Sequence, residues 1–375
     1  MSTTTETSRR LARRDWLVLP LIALVTAVGL FAAGEGLARI FWPQHDARLC
    51  VADNTHAKPN CTETFKRDFE VAWATQSFNE CGYRGTGPCH APAPGGRIVV
   101  VGSSTSWGYM MNLDQLWSTQ AARRIGAVCG LAPDIQAVGG FGDLNDAAKS
   151  LPDVIALKPQ LVVLALTPFD LFKMPDGGFD PVHAAPSTAN GGAVAIAAKD
   201  GWVMKTAKQV ATDLRLVGVA QHYQYLNPAT YSSTYLRFGD KADFLRQPFT
   251  PAWRSRVTFV DQATAYMTQR LDAAHIPFLI LLIPQQAQAD IIGAGLSYPH
   301  VDPMALDRAI GDIAARHGAL YVDASPLFRN LKDAPAYYYR VNGHINDRGE
   351  KLVGAGFAKA LLDAHLPGLC QGSAH

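Results

Sequence analysis

Charged residues are scarce in this chain of 375 residues: Asp, Glu, Lys and Arg together make up 18% of it, against roughly 25% in an average soluble domain. The 34 basic and 32 acidic residues nearly cancel, which gives a net charge of +2. This balance argues against binding driven by bulk charge, so we expect no nucleic-acid partner. The hydrophobic share of 48% excludes a wholly disordered chain and is sufficient for a large packed core.

Short motifs of several common protein classes are also absent. The chain contains no G-x-G-x-x-G dinucleotide fingerprint, no G-K-[ST] phosphate loop and no G-x-S-x-G nucleophile elbow. It also lacks the paired C-x-x-C spacings of a structural zinc site. We therefore expect neither a cofactor nor a bound metal.

The lack of charge is greatest near the N-terminus, where residues 16–34 contain no charged side chain. A helix of this sequence, WLVLPLIALVTAVGLFAAG, would come close to spanning the ~30 Å hydrocarbon core of a membrane. Arginines at positions 9, 10, 13 and 14 precede it, and the positive-inside rule would keep them in the cytoplasm. The pattern predicts a single-pass inner-membrane protein, with a cytoplasmic tail over 1–15, an anchor over 16–42 and a periplasmic remainder.

A cleaved signal peptide is the alternative interpretation of this segment. Small residues, Ala32, Ala33 and Gly34, end the uncharged stretch, as they do before a cleavage site. The stretch is long for a signal peptide, however, and apolar residues continue as far as Trp42. A retained anchor is therefore the favoured interpretation.

All six cysteines lie after the apolar segment: Cys50, Cys61, Cys81, Cys89, Cys129 and Cys370. In an oxidising compartment outside the membrane, six cysteines indicate disulfides, although they allow fifteen full pairings. Closeness in sequence favours Cys50 with Cys61 and Cys81 with Cys89, which leaves Cys129 for Cys370. Free buried thiols are the alternative.

Strand and helix patterns alternate after a polar lead-in over 43–95 that ends in APAPGG. The apolar runs that read as buried strands are Arg97–Gly102, Asp134–Val138, Gln160–Leu166, Pro277–Ile283 and Ala319–Asp323. Helical patterns cover 114–126, 144–157, 254–275, 303–317 and 347–365. This alternation predicts an α/β protein with a doubly wound, mostly parallel five-stranded sheet.

One stretch, residues 173–253, is too long for an ordinary connection between a strand and a helix. We interpret it as a largely helical cap inserted into a domain formed by 96–172 and 254–370. It contains an aromatic group: His222, Tyr223, Tyr225, Tyr231, Tyr235 and Phe238. These side chains could form a sugar-stacking wall or, as is more usual, the core of the insertion.

Two residues at the ends of these predicted elements, a serine and a histidine, are of the types used in nucleophilic catalysis. Ser104 follows the first strand at a tight, glycine-containing turn into a helix, where its hydroxyl projects beyond the edge of the sheet. His344 lies between the last strand and the last helix. Because both positions lie at the same edge of a doubly wound sheet, we expect the two side chains to meet.

These motifs resemble the SGNH/GDSL family of serine esterases and acyltransferases over about 97–365. The family's G-D-S block supplies the nucleophile, and GSS at 102–104 matches it with a second serine in place of Asp. Its second block supplies a glycine N–H to the oxyanion hole, a position that Gly142 occupies here. The resemblance implies a flavodoxin-like fold, Ser104 as nucleophile, His344 as base, and oxyanion donors from the amides of Ser104 and Gly142.

Two positions depart from the family pattern. The third block, G-x-N-D, provides an Asn donor, but here the sequence TPFD places Phe169 at that position. The last block pairs Asp with His, as D-G-H in some members, whereas Asn342 precedes Gly343 and His344 here. Loss of one oxyanion donor costs about two to three orders of magnitude in comparable sites. A hydroxyl such as that of Thr167, or another carboxylate, could compensate.

The sequence supports three functions for such a chain. The first is a membrane-anchored esterase that removes acyl groups, such as acetyl, from an exported or cell-envelope polysaccharide, with Asn342 orienting His344. The second is an O-acyltransferase with the same covalent chemistry. The third is a catalytically degenerate SGNH domain that serves as an anchored polysaccharide-binding or scaffold subunit of a polysaccharide assembly machine. The expected partners are the membrane, an acylated glycan and, in the third case, assembly proteins.

Overall fold

The computed structural model describes residues 15–45, 49–53, 56–67, 69–139, 143–174, 178–182, 214–366 and 369–370. The strands are β1 (Thr62–Phe65), β2 (Ala74–Ser77), β3 (Arg84–Gly85), β4 (Arg97–Gly102), β5 (Asp134–Gly139), β6 (Leu161–Leu166), β7 (Phe278–Leu282) and β8 (Leu320–Asp323). β1 and β2 form an antiparallel hairpin in the lead-in. The other six form one sheet in the order β3-β5-β4-β6-β7-β8.

The five predicted strands are confirmed, and they pair in parallel as expected. Their spatial order is that of a flavodoxin-like doubly wound sheet, in which the order reverses beside β4. The sheet has a sixth strand that the sequence did not predict, because β3 pairs antiparallel with β5 through only two residues. The Gln136 side chain packs over Gly85, and a Cβ there would lie 2.3 Å from Gln136 Oε1 and displace that side chain.

Twelve helices are present among the described residues: α1 (Asp15–Phe41), α2 (Ser104–Trp107), α3 (Trp117–Cys129), α4 (Leu144–Lys149), α5 (Leu151–Ala156), α6 (Pro168–Phe172), α7 (Arg215–Gln224), α8 (Pro228–Tyr235), α9 (Pro251–Ala273), α10 (Gln286–Ala294), α11 (Ala305–His317) and α12 (Asp347–Asp363). The predicted helix over 144–157 is two helices that meet at Ser150, two residues before a proline. The sequence did not predict α10, because its polar Gln286, Gln288 and Asp290 are all wholly buried. Burial on all sides removes the amphipathic pattern by which helices are recognised.

The core lies on both faces of the sheet. Alternate residues of β4 point to opposite faces, so that Val99 and Val101 pack in one apolar cluster while Ile98 and Val100 pack in the other. All four are at most 1% exposed. The strand before Ser104 is therefore fixed by packing on both sides.

All three predicted disulfides are present: Cys50–Cys61, Cys81–Cys89 and Cys129–Cys370. The first two close short loops within the lead-in. The third joins the end of α3 to the C-terminal segment, across 241 residues of chain. These bonds are consistent with an oxidising compartment.

Within the described part of the chain, one helix is long and apolar enough to cross a membrane, over residues 16–41 with a mean hydropathy of 2.4. The four arginines that precede it lie outside the described residues, as does the rest of the predicted tail before residue 15. Near its C-terminal end, Glu35 accepts hydrogen bonds from the backbone N–H groups of Arg215 and Leu216, at 3.1 and 3.0 Å. The apolar helix therefore contacts the first turn of α7, in the predicted cap.

Candidate active site

Ser104 is the first residue of α2, directly beyond the carboxyl end of β4. The turn requires Gly102, because φ is +146° and a Cβ would lie 2.2 Å from Ser106 Oγ and 2.4 Å from the Ala165 carbonyl oxygen. The first N–H groups of a helix have no intrahelical acceptor, so the Ser104 amide is available to a ligand. The strand and the turn together place a hydroxyl and an amide at the edge of the sheet.

The structure brings Ser104 and His344 together across 240 residues of chain: Ser104 Oγ lies 3.0 Å from His344 Nε2. The other ring nitrogen, Nδ1, contacts Asn342 Oδ1. An amide oxygen is an acceptor, so this contact favours the tautomer with its proton on Nδ1. Nε2 then carries no proton and can accept that of Ser104, which is the arrangement needed for general-base catalysis.

A short hydrogen-bonded loop carries His344. Gly343 donates its N–H to the Tyr339 carbonyl at 2.6 Å, and Tyr339 donates its N–H to the His344 carbonyl at 2.8 Å. Gly343 has φ +83°, which favours glycine between the two site residues. The rings of Tyr109 and His344 pack in an edge-to-face arrangement, with ring centroids 5.9 Å apart.

A buried glutamate of the lead-in fixes the start of the same loop, and sequence reasoning missed it. The Glu70 side chain is 4% exposed and accepts hydrogen bonds from the N–H groups of Arg340 and Val341, at 3.1 and 2.9 Å. It also contacts His222 Nδ1, and so links the lead-in and α7 to the loop. No local motif marks such a residue, since its partners lie up to 271 residues away in the chain.

The remaining predicted site residues have different outcomes. Gly142 lies outside the described residues. Phe169 is part of α6, and its ring lines the same cleft as Ser104 and His344. The Thr167 hydroxyl donates to Asp170 Oδ2 at 2.8 Å, so its proton is already committed to this capping bond. That contact argues against Thr167 as the replacement donor that the sequence suggested.

The aromatic group of the predicted cap forms mainly its core. Tyr225, Tyr231 and Tyr235 are all at most 8% exposed, and they pack against one another. Tyr223 and Phe238 are exposed. The interpretation of the whole aromatic group as a sugar-stacking wall is therefore wrong.

The cleft around the Ser104–His344 pair is small, with a volume of ≈ 50 Å³. Its lining residues are Ser104, Thr105, Thr167, Phe169, Lys241, Ile283, Pro284, Gln285, Tyr338, Asn342, Gly343, His344 and Ile345. A space of this size accepts a short acyl group more readily than a long chain. Lys241, from a 3₁₀ turn after α8, is a cleft residue that the sequence gave no reason to select.

One group of metal-ligating side chains occurs among the described residues, at Cys81, Cys89 and His90. The two cysteines are joined as a disulfide, which leaves their sulfurs unable to bind a metal as thiolates. This group therefore offers one effective ligand.

Comparison with known proteins gives structural similarity only. No family model and no curated protein matches the chain. Among solved structures, it is similar to a lipolytic protein of the G-D-S-L family from Desulfitobacterium hafniense DCB-2 (14% identity, 71% of this chain and 99% of that one, TM-score 0.36). It is also similar to TesA (16% identity, 71% and 97%, TM-score 0.35) and to a protein described as a GDSL-like lipase from Parabacteroides merdae (10% identity, 70% and 94%, TM-score 0.37).

Proposed function

We propose that the protein is a membrane-anchored serine esterase or O-acyltransferase of the SGNH type, with Ser104 as nucleophile and His344 as general base. The observation that carries the proposal is the 3.0 Å contact between Ser104 Oγ and His344 Nε2, with Asn342 against the opposite ring nitrogen. A nucleophile, a base and a group that orients the base are the minimum set for acyl transfer through a covalent intermediate.

The reaction follows from the positions of these atoms. Ser104 Oγ attacks the ester carbonyl carbon and gives its proton to His344 Nε2. The tetrahedral intermediate collapses, the bond to the alcohol oxygen breaks, and His344 returns the proton to that oxygen. Water or a sugar hydroxyl then attacks the acyl-Ser104 ester and gives a proton to His344. The second tetrahedral intermediate collapses, the bond from the acyl carbon to Ser104 Oγ breaks, and His344 returns the proton to Ser104 Oγ. The Ser104 and Gly142 amides would hold the oxyanion in both halves of the reaction.

The location and substrate class are the second part of the proposal. The apolar N-terminal helix and three disulfides support a domain anchored outside the cytoplasm. The apolar helix runs over 26 residues, longer than the apolar region of a signal peptide (about 7–15 residues), which supports a retained anchor over a cleaved signal peptide. The small cleft supports a short acyl group such as acetyl, and the extracytoplasmic position favours an exported or cell-envelope polysaccharide as its carrier.

A non-catalytic, anchored subunit of polysaccharide assembly is the second candidate. The observation that favours it is Phe169, whose ring has no hydrogen-bond donor at the edge of the cleft. Asn342 adds to this case, because a neutral amide stabilises a charged imidazole less than a carboxylate does.

A fluorophosphonate probe tests the proposal on the full-length protein in detergent. We expect the probe to label the wild type at Ser104, as located by peptide mapping. Ser104→Ala should abolish labelling, whereas Ser103→Ala, which removes the neighbouring hydroxyl, should retain it. A wild type that stays unlabelled and turns over no acetyl ester would contradict the proposal and favour the non-catalytic candidate.

A further inference from the structure

Lys241 is an uncompensated positive charge in the catalytic cleft. Among the described residues that line the cleft, it is the sole Lys, Arg, Asp or Glu side chain. Desolvation by burial, and then the nearby Lys173 ammonium, lower its pKa. A partly buried charge is ordinarily paired, so the protein as it stands leaves this group short of a partner.

The carboxylates nearest to Lys241 in sequence are engaged elsewhere. Asp240 forms a two-pronged ion pair with Arg256, at 2.7 and 2.5 Å, and Asp243 pairs with Arg246 at 2.5 Å. No hydrogen bond or ion pair joins the Lys241 ammonium to any residue of the part of the chain that the structure describes. The absent partner therefore has to come from a ligand or from solvent.

Aromatic faces hold the ammonium in position instead. Lys241 Nζ lies 5.0 Å from the ring centroid of Phe169, 5.7 Å from that of Tyr235 and 5.9 Å from that of Phe238. These contacts stabilise a cation without neutralising it. Lys173 Nζ lies 4.3 Å from the same Phe169 ring, so two ammonium groups share one aromatic side chain.

We propose that Lys241, supported by Lys173 around Phe169, forms an anion-binding subsite that recognises a carboxylate or phosphate group on the acylated substrate. This inference rests on the proposed function for the identity of the substrate as an acyl ester. Phe169 then holds the two ammonium groups of the subsite against its ring, at the position where the family pattern has an oxyanion donor. A charge-assisted hydrogen bond to Lys241 would favour an anionic substrate by roughly ten- to a hundredfold over a neutral one.

Three matched substrates test the subsite on the full-length protein: an O-acetylated methyl glucoside, the corresponding glucuronoside and the corresponding glucoside 6-phosphate. We expect the wild type to have a higher kcat/KM on at least one of the two anionic substrates than on the neutral glucoside. The preferred substrate shows whether the subsite recognises a carboxylate or a phosphate. Lys241→Met should reduce this preference by about tenfold or more, with a smaller change on the glucoside. Lys241→Arg should retain most of the preference. Lys359→Met, on the exposed face of α12, is the matched control and should not alter it.

A binding measurement separates failure of the subsite from failure of the proposed activity. Calorimetric titration of Ser104→Ala with the glucuronoside and the phosphate needs no turnover. We expect Kd for the preferred anion to rise about tenfold when Lys241→Met is added. Two outcomes would overturn the subsite: an equal loss of kcat/KM on all three substrates, or unchanged preference together with unchanged Kd. If turnover is absent while Lys241→Met still weakens binding, the subsite stands and the esterase proposal fails.

Discussion

The two halves of the candidate site are built in different ways. Ser104 follows a strand that is paired on both sides and buried on both faces, so local packing suffices to place it. His344 lies in a half-buried loop whose start depends on Glu70, 270 residues away in the chain. The position of Ser104 therefore depends on the sheet, whereas that of His344 depends on contacts from the lead-in and from α7. Changes to the turn before Ser104 should therefore lower stability, and changes to the contacts that hold the His344 loop should lower activity.

The largest expected effect is a loss of stability on changing Gly102, in the turn before Ser104. Gly102→Ala would place a Cβ against Ser106 and the Ala165 carbonyl at a positive φ, which should cost about 3 kcal/mol or more of stability. Thermal unfolding of the full-length protein measures this loss. Gly295→Ala is the control, because it also has a positive φ but open space around it, and should cost only about 1 kcal/mol. Equal losses in the two variants would show that the turn before Ser104 is not sterically fixed.

A pH-dependent effect on stability is expected from Asp290, a buried residue of α10. Burial raises the pKa of Asp290, in α10, to about 8, and the Arg340 charge opposes this rise only in part. Asp290 then binds its proton more tightly in the folded than in the unfolded state, so its contribution to stability is greatest below about pH 4 and falls as pH rises towards 8. Asp290→Asn removes the titration and should stabilise the protein by a few kcal/mol at pH 8 relative to pH 5.

Melting temperatures at pH 5 and pH 8 provide the comparison. The exposed Asp363→Asn, on α12, is the control and should leave the pH dependence as it is in the wild type. A wild-type protein whose melting temperature rises from pH 5 to pH 8, with no difference in Asp290→Asn, would contradict the assignment of a raised pKa to Asp290.

Loss of the long-range contact should impair activity more than stability. Glu70→Gln leaves one acceptor oxygen for two backbone N–H groups and His222, so the His344 loop should lose its fixed position. We expect kcat on a small acetyl ester to fall about tenfold, with little change in KM. Glu63→Gln is the control for the same chemical change in the lead-in, because one Glu63 oxygen accepts the N–H groups of both Leu49 and Cys50 and an amide oxygen can keep both bonds. If Glu63→Gln lowers kcat as far as Glu70→Gln does, the effect is general to the lead-in and not specific to the loop.

The smallest effect is expected from the group that orients the base. Asn342→Asp supplies a carboxylate at His344 Nδ1, which stabilises the imidazolium without changing the tautomer that the amide already favours. Turnover of an acetyl ester should rise by about a few-fold, or at least not fall. Ser104→Ala should abolish it in either background. A sharp fall in Asn342→Asp would instead show that the neutral amide has a specific function.

The difference between the two halves also explains what could be predicted from the sequence. The five parallel strands, the turn at Ser104 and the disulfide pairs were predictable, because apolar runs, glycine turns and cysteine spacing are local signals. The strand β3 has two residues and the helix α10 is buried on all sides, so neither has a periodic pattern. Glu70 and Lys241 were not predictable, because their importance arises from partners brought close only by folding.

Trapping of an acyl-enzyme tests the central claim most directly. The full-length protein is mixed with 4-nitrophenyl acetate, quenched in acid within the first turnover and digested for peptide mapping. The account predicts acetyl on Ser104 in the wild type and none on this residue in His344→Gln, because the base is needed to activate the hydroxyl. Acetyl on other side chains alone, or equal acetylation of Ser104 in both proteins, would contradict a Ser104–His344 catalytic pair.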